Sequence, residues 1–179
     1  ELSLQENRPR ALVQMATGAG KTFTAVTTAY RLLKFGGFRR ILFLVDRNNL
    51  AEQTLAEFQN YRTPGDGRRF TEIYNADKLT SAGMLGSSDV VVSTIQRVFS
   101  VLRGQDVTEG DDPNLDDYVP DAPVTVTYSS ALPPEAFDLV IVDEAHRSIA
   151  LDQEMTEGEI AVRDHAQYLS TSRRVLDHF

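Results

Sequence analysis

Two unbroken apolar runs, Ile41–Val45 and Leu139–Val142, are each followed by an aspartate. A strand with one wet face alternates polar and apolar residues. Runs apolar at every position need both faces covered, which is the condition of a parallel sheet between layers of helix. The runs lie within strands read as Arg40–Asp46 and Asp138–Asp143, with further strands read at Ala11–Met15, Phe70–Tyr74 and Asp89–Ser93. Helices are expected between them. Lys21–Phe35 places Ala25, Ala29, Leu32 and Leu33 at helical spacing and closes on Gly36-Gly37. Asn48–Tyr61 places Ala51, Leu55 and Phe58 on one side, and Thr94–Leu102, Thr156–Ser170 and Ser172–Phe179 also read as helical. There is no internal repeat. Strands alternating with helices give an α/β domain with a mainly parallel sheet covered on both faces.

At 179 residues the chain is the size of one domain, and 41% apolar residues are ample for a buried core. With no cysteine, neither a disulfide framework nor a thiolate metal site is available. The apolar runs are far shorter than a membrane span and no cleavable signal stands out, so the reading is a cytoplasmic protein without a membrane partner. The net charge of −8 hides an uneven distribution. Residues 1–104 carry 14 basic and 9 acidic side chains, whereas residues 105–138 carry nine acids, no Lys or Arg, and five of the seven prolines. Such a stretch neither propagates a helix nor buries much, so residues 105–135 read as an acidic, Pro-rich surface insertion. Its role is either a solvated loop or a partner's docking site. The basic N-terminal body leaves a nucleic-acid partner open.

Thr17-Gly18-Ala19-Gly20-Lys21-Thr22 stands between an expected strand and an expected helix. Glycines there let successive backbone N–H groups converge on one point, to which the helix N-terminus adds partial positive charge. Lys21 can then reach the β- and γ-phosphates of ATP, and the Thr22 hydroxyl can ligate Mg²⁺. The full phosphate-loop pattern has a glycine where this chain has Met15. That departure spares the residues that meet phosphate. Asp143 and Glu144 close the last apolar run, and ligands of an open parallel sheet bind at the carboxyl ends of its strands. Asp143 is placed to hold Mg²⁺, and Glu144 to orient or deprotonate the attacking water. Either motif alone has a bland counterpart, a Gly-rich turn or a solvated strand end. Together they point to nucleotide binding and hydrolysis.

With these motifs the chain resembles the first motor lobe of a superfamily 2 helicase or translocase. Asp143-Glu144-Ala145-His146 matches the box that names many of them. Leu44–Gln53 resembles the motif following the phosphate loop, and Val92–Arg97 one that lies on the nucleic-acid backbone. Tyr30–Lys34, Phe43–Arg47, Asp143–Ser148 and Arg173–Phe179 are similar to the restriction (R) subunit of type I restriction enzymes. The resemblance covers most of the chain but not the acidic insertion or about residues 150–168.

It implies a single RecA-like P-loop NTPase lobe over residues 1–179, a fragment of a longer chain that pulls double-stranded DNA past a stationary complex. The implied partners are a second motor lobe and a nuclease domain of the same chain, together with methylation and specificity subunits. Arg47, Thr94 and Gln96 would contact DNA phosphates. Each has a plain rival: Arg47 pairing with a neighbouring acid, Thr94 capping the following helix, Gln96 a polar helix residue. His146 would couple the ATP site to the second lobe; its rival is a surface histidine. Family members receive catalytic arginines from across the cleft, so this lobe by itself is expected to bind ATP and hydrolyse it poorly. Two other readings stay open, a strand-separating superfamily 2 helicase acting on DNA or RNA, and a nucleotide-binding assembly module working through the acidic insertion.

Overall fold

The computed structural model describes residues 6, 8, 10–79, 85–103, 132–145 and 171–179, with side chains of the last segment from Val175 onward. The elements in chain order are α1 (Lys21–Phe35), β1 (Ile41–Val45), α2 (Asn48–Asn60), β2 (Ala76–Lys78), β3 (Val90–Thr94), α3 (Ile95–Leu102), β4 (Leu139–Val142) and α4 (Thr171–His178). Short 3₁₀ turns cover Phe70–Glu72 and Pro134–Ala136. Most of the acidic insertion and the expected helix Thr156–Ser170 lie outside the described residues.

The strands form one sheet in the order β2-β3-β1-β4, and each described pair is parallel. Pleating sends alternate residues of each strand to opposite faces. On one face Ile41, Phe43, Val45, Val90 and Val92 meet Val26, Ala29 and Leu33 of α1 and Ala51 and Phe58 of α2. On the other, Leu42, Leu44 and Val91 meet Ile95, Val98 and Leu102 of α3 and Val175 of α4. All five residues of β1 and of β3 are buried. Two apolar layers therefore explain why the central strands lack any polar alternation, as a RecA-like α/β lobe requires.

Register is fixed at both ends of the sheet. At the carboxyl end Val45 is level with Thr94, and Leu44 with Val142. At the amino end the Asp138 carboxylate accepts the backbone N–H groups of Arg39 (2.7 Å) and Arg40 (3.0 Å), while Asp138 N–H donates to Arg40 O at 2.8 Å. Those two N–H donors, helped by the adjacent arginines, hold the Asp138 carboxyl below its usual range against a smaller opposing effect of burial. The clamp seats β4 on β1 just before its first paired residue.

The structure corrects two strand expectations. Phe70–Tyr74 is a helical turn: Ile73 and Tyr74 N–H both donate to Phe70 O, so Phe70, Ile73 and Tyr74 share a face at helical spacing. Phe70 is fully buried against Phe58 and Tyr74, with ring centroids at 5.0 and 5.4 Å. The strand comes later, at Ala76–Lys78, a half-buried edge without an apolar run. Residues 11–15 form no strand, and Leu12 and Val13 are 84% and 69% exposed. An apolar run becomes a strand only where a neighbour takes up its backbone hydrogen bonds, and these residues pair with none of the four described strands.

Candidate nucleotide site

The site forms where α1 begins and β4 ends. Gly18 and Gly20 both adopt left-handed backbone, φ 77° and 84°, which other residues enter only with strain. Ala19 N–H closes a turn on Ala16 O at 3.1 Å, and Thr24 N–H makes the first helical bond to Gly20 O at 2.9 Å. No side chain caps α1 at Gly20. The N–H groups of Lys21, Thr22 and Phe23 thus stand ahead of the first intrahelical bond at an N-terminus that Thr17–Gly20 leave exposed. Uncapped donors plus the helix dipole suit a phosphate group.

Lys21 Nζ donates to Glu144 Oε1 at 2.5 Å, joining residues 123 apart in the chain. Both side chains are about 30% exposed. The hydrogen bond it donates to Glu144 is the main reason the Lys21 ammonium is held above its ordinary value; burial opposes it, and the charges of Glu144 and Asp143 add to it. Glu144 itself has φ 50°. A left-handed conformation costs an L residue about 1–2 kcal/mol. It turns the chain sharply off β4 so that Glu144 faces the phosphate loop. Asp143 N–H donates to Leu44 O (2.9 Å), extending the ladder, while Asp143 Oδ1 accepts Glu144 N–H (2.9 Å).

These residues fit a Mg²⁺-nucleotide. The donor set is a threonine hydroxyl, a carboxylate and a lysine beside an open helix N-terminus. Among the described residues no three His, Asp or Glu side chains gather into a metal cage. Mg²⁺ is ordinarily held by one or two carboxylates plus substrate phosphates, so such a cage is not needed.

Arg47, Thr94 and Gln96 are brought together at the carboxyl ends of the adjacent strands β1 and β3. Arg47 starts α2 with a side chain 65% exposed, its Nε 3.5 Å from Asp46 Oδ2. Thr94 is 3% exposed, and its hydroxyl oxygen caps α3 by accepting Arg97 N–H at 3.2 Å. Gln96 Nε2 reaches Asp46 O at 3.4 Å, while its Oε1 is buried with no hydrogen-bond partner among the described residues. His146 lies outside the described residues. The sequence reading missed the Asp138 clamp, whose only signal is an acid immediately before an apolar run.

The family described as "Type III restriction enzyme, res subunit" matches residues 1–179. This chain belongs to that family. Over all 179 residues the chain is 37% identical to the type I restriction enzyme EcoKI endonuclease subunit of Escherichia coli (strain K12), and it covers 13% of that relative. It is 26% identical over 177 residues to the EcoAI endonuclease subunit of Escherichia coli, covering 17% of it. Over 88 residues it is 30% identical to the SauCOLORF180P endonuclease subunit of Staphylococcus aureus (strain COL). The chain thus spans less than a fifth of the length of the two E. coli relatives. No solved structure matches it. The helicase-like character of the family implies nucleotide binding by this lobe. No described helix is long and apolar enough to cross a membrane.

Proposed function

We propose that this chain is the ATP-binding lobe of an ATP-driven translocase on double-stranded DNA, within the R subunit of a type I restriction endonuclease. The observation that carries the chemistry is the meeting of Lys21 and Glu144 at 2.5 Å across a loop–helix N-terminus. A spacing-only coincidence of two motifs would not bring these groups into contact. The type assignment is supported by the identity to type I endonuclease subunits along the whole chain.

In this reading the loop of Thr17, Gly18, Ala19 and Gly20 and the N–H groups at the start of α1 cradle the phosphates of ATP, and Lys21 moves from Glu144 onto the β- and γ-phosphates. Glu144, released, orients and deprotonates the attacking water. Thr22 and Asp143 hold Mg²⁺, which when bound neutralises charge building on the phosphate oxygens. Arg47, Thr94 and Gln96 line the strand ends that meet the DNA backbone, with Arg47 the most exposed of the three. His146 couples this site to a second motor lobe. That lobe, the nuclease domain and the methylation and specificity subunits complete the enzyme.

The test is ATPase activity of the full-length protein with its methylation and specificity subunits, given duplex DNA, single-stranded DNA and RNA in parallel. Stimulation by duplex DNA alone is expected. Stimulation by single strands or RNA would replace the translocase with a strand-separating helicase. On deletion of residues 105–135 a motor keeps its DNA-stimulated turnover, whereas a nucleotide-binding assembly module loses its partner.

A further inference from the structure

The phosphates account for only one end of a nucleotide, and the base end has had no residue assigned to it. We propose that Phe23 is the base-stacking residue of this site, a flat platform for the nucleobase; the inference rests on the reading of Thr17–Thr22 as the phosphate cradle.

Helix geometry comes first. Successive residues turn by about 100°, so Phe23 projects about 200° around α1 from Lys21, on the opposite side of the same N-terminus. A triphosphate lying across that N-terminus, with its terminal phosphates toward Lys21, extends toward the side that carries Phe23. The backbone N–H of Phe23 is itself one of the three donors ahead of the first helical bond.

Exposure is the second observation. Phe23 is 58% exposed, whereas Val26, Ala29, Tyr30 and Leu33 of the same helix are buried. An apolar ring open to water at a polar ligand site gains from being covered by another ring. Phe23 is also supported from beneath. Its ring centroid lies 5.7 Å from Tyr61 at 47°, Tyr61 is 4% exposed, and Tyr61 in turn lies 5.7 Å from Tyr30. One side of the ring is therefore held against a buried aromatic row while the rest remains available. Such preorganisation lowers the ordering cost of binding. Because every base has a π-face, the platform supplies affinity rather than choice of base.

The experiment compares ATP, GTP and inorganic tripolyphosphate by titration calorimetry on the full-length protein, as wild type, Phe23→Ala, Phe23→Leu, Phe23→Tyr and Lys21→Ala. Stacking of one base is lost on alanine substitution with a penalty that corresponds to about 5- to 150-fold in affinity. Phe23→Ala and Phe23→Leu are expected to weaken ATP and GTP within that range and leave tripolyphosphate unchanged, with Phe23→Tyr near wild type. Phe23→Leu keeps an apolar contact on Tyr61 but has no π-face, so it separates stacking from packing. Equal weakening of nucleotide and tripolyphosphate, or no weakening of either, would overturn the proposal. If Lys21→Ala binds tripolyphosphate as wild type does, the phosphate-cradle reading fails instead, and the stacking role with it.

Discussion

Thr94 sits where β3 becomes α3, and a single substitution measures what its hydroxyl does. Its backbone is extended (φ −77°, ψ 153°), the side chain is 3% exposed, and Oγ1 accepts Arg97 N–H at 3.2 Å. Thr94→Val keeps the volume and the β-branch, so the packing beneath Val45 is preserved and only the cap is removed. Loss of a threonine cap costs about 1 kcal/mol, within a span of about 0.5–2. Leaving a buried N–H without an acceptor costs about 1–3 kcal/mol. These describe the same lost bond from two sides and do not add, so about 1–2 kcal/mol is expected. For a chain of this size that lowers the melting temperature by roughly 2–8 °C. Thr94→Ser keeps an oxygen at the same place and is expected to stay within about 0.5 kcal/mol of wild type. Urea unfolding followed by circular dichroism reads both variants. A Thr94→Val protein as stable as wild type would refute the capping argument and return the hydroxyl to phosphate contact alone.

Three other perturbations probe the site and the frame that holds it. Lys21→Ala is expected to abolish ATP binding, whereas Glu144→Gln binds ATP and does not turn it over; equilibrium binding and steady-state ATPase assays on each variant separate the two. Phe58→Ala opens a hole between Phe43 and Phe70, whose ring centroids lie 6.0 and 5.0 Å from Phe58, and should cost about 3–5 kcal/mol in denaturant unfolding. Asp138 has a folded pKa below its unfolded value, so its contribution is fully present above about pH 4 and fades as pH falls through the lower folded value. The stability gap between wild type and Asp138→Ala should therefore be open at pH 7 and closed in strong acid; a gap that does not change with pH would show that the carboxylate is not what clamps β4.

The central strands and first helices were legible because one physical signal dominated each. Unbroken apolar runs marked β1 and β4, and Lys21–Phe35 is legible to the residue because its apolar spacing is bounded by glycines on both sides. The Phe70 segment misled for the opposite reason. Phe70, Ile73 and Tyr74 fit a short apolar strand by composition, while the observed turn depends on Phe58 offering a pocket from another helix. Residues 11–15 show that an apolar run by itself secures neither pairing nor burial, since a ladder needs a partner the run does not encode. Site residues could be named from motif chemistry, but the Lys21–Glu144 contact could not. It depends on the left-handed turn at Glu144, a conformation that nothing in the composition of Asp-Glu-Ala-His announces.

The Asp138 clamp has a consequence for how β4 is placed. β4 is keyed to Arg39 and Arg40, residues nearly a hundred positions upstream. The register of β4, and with it the place of Asp143 and Glu144 beside the start of α1, is thus anchored from the amino end of the sheet rather than from the chain that leads into it.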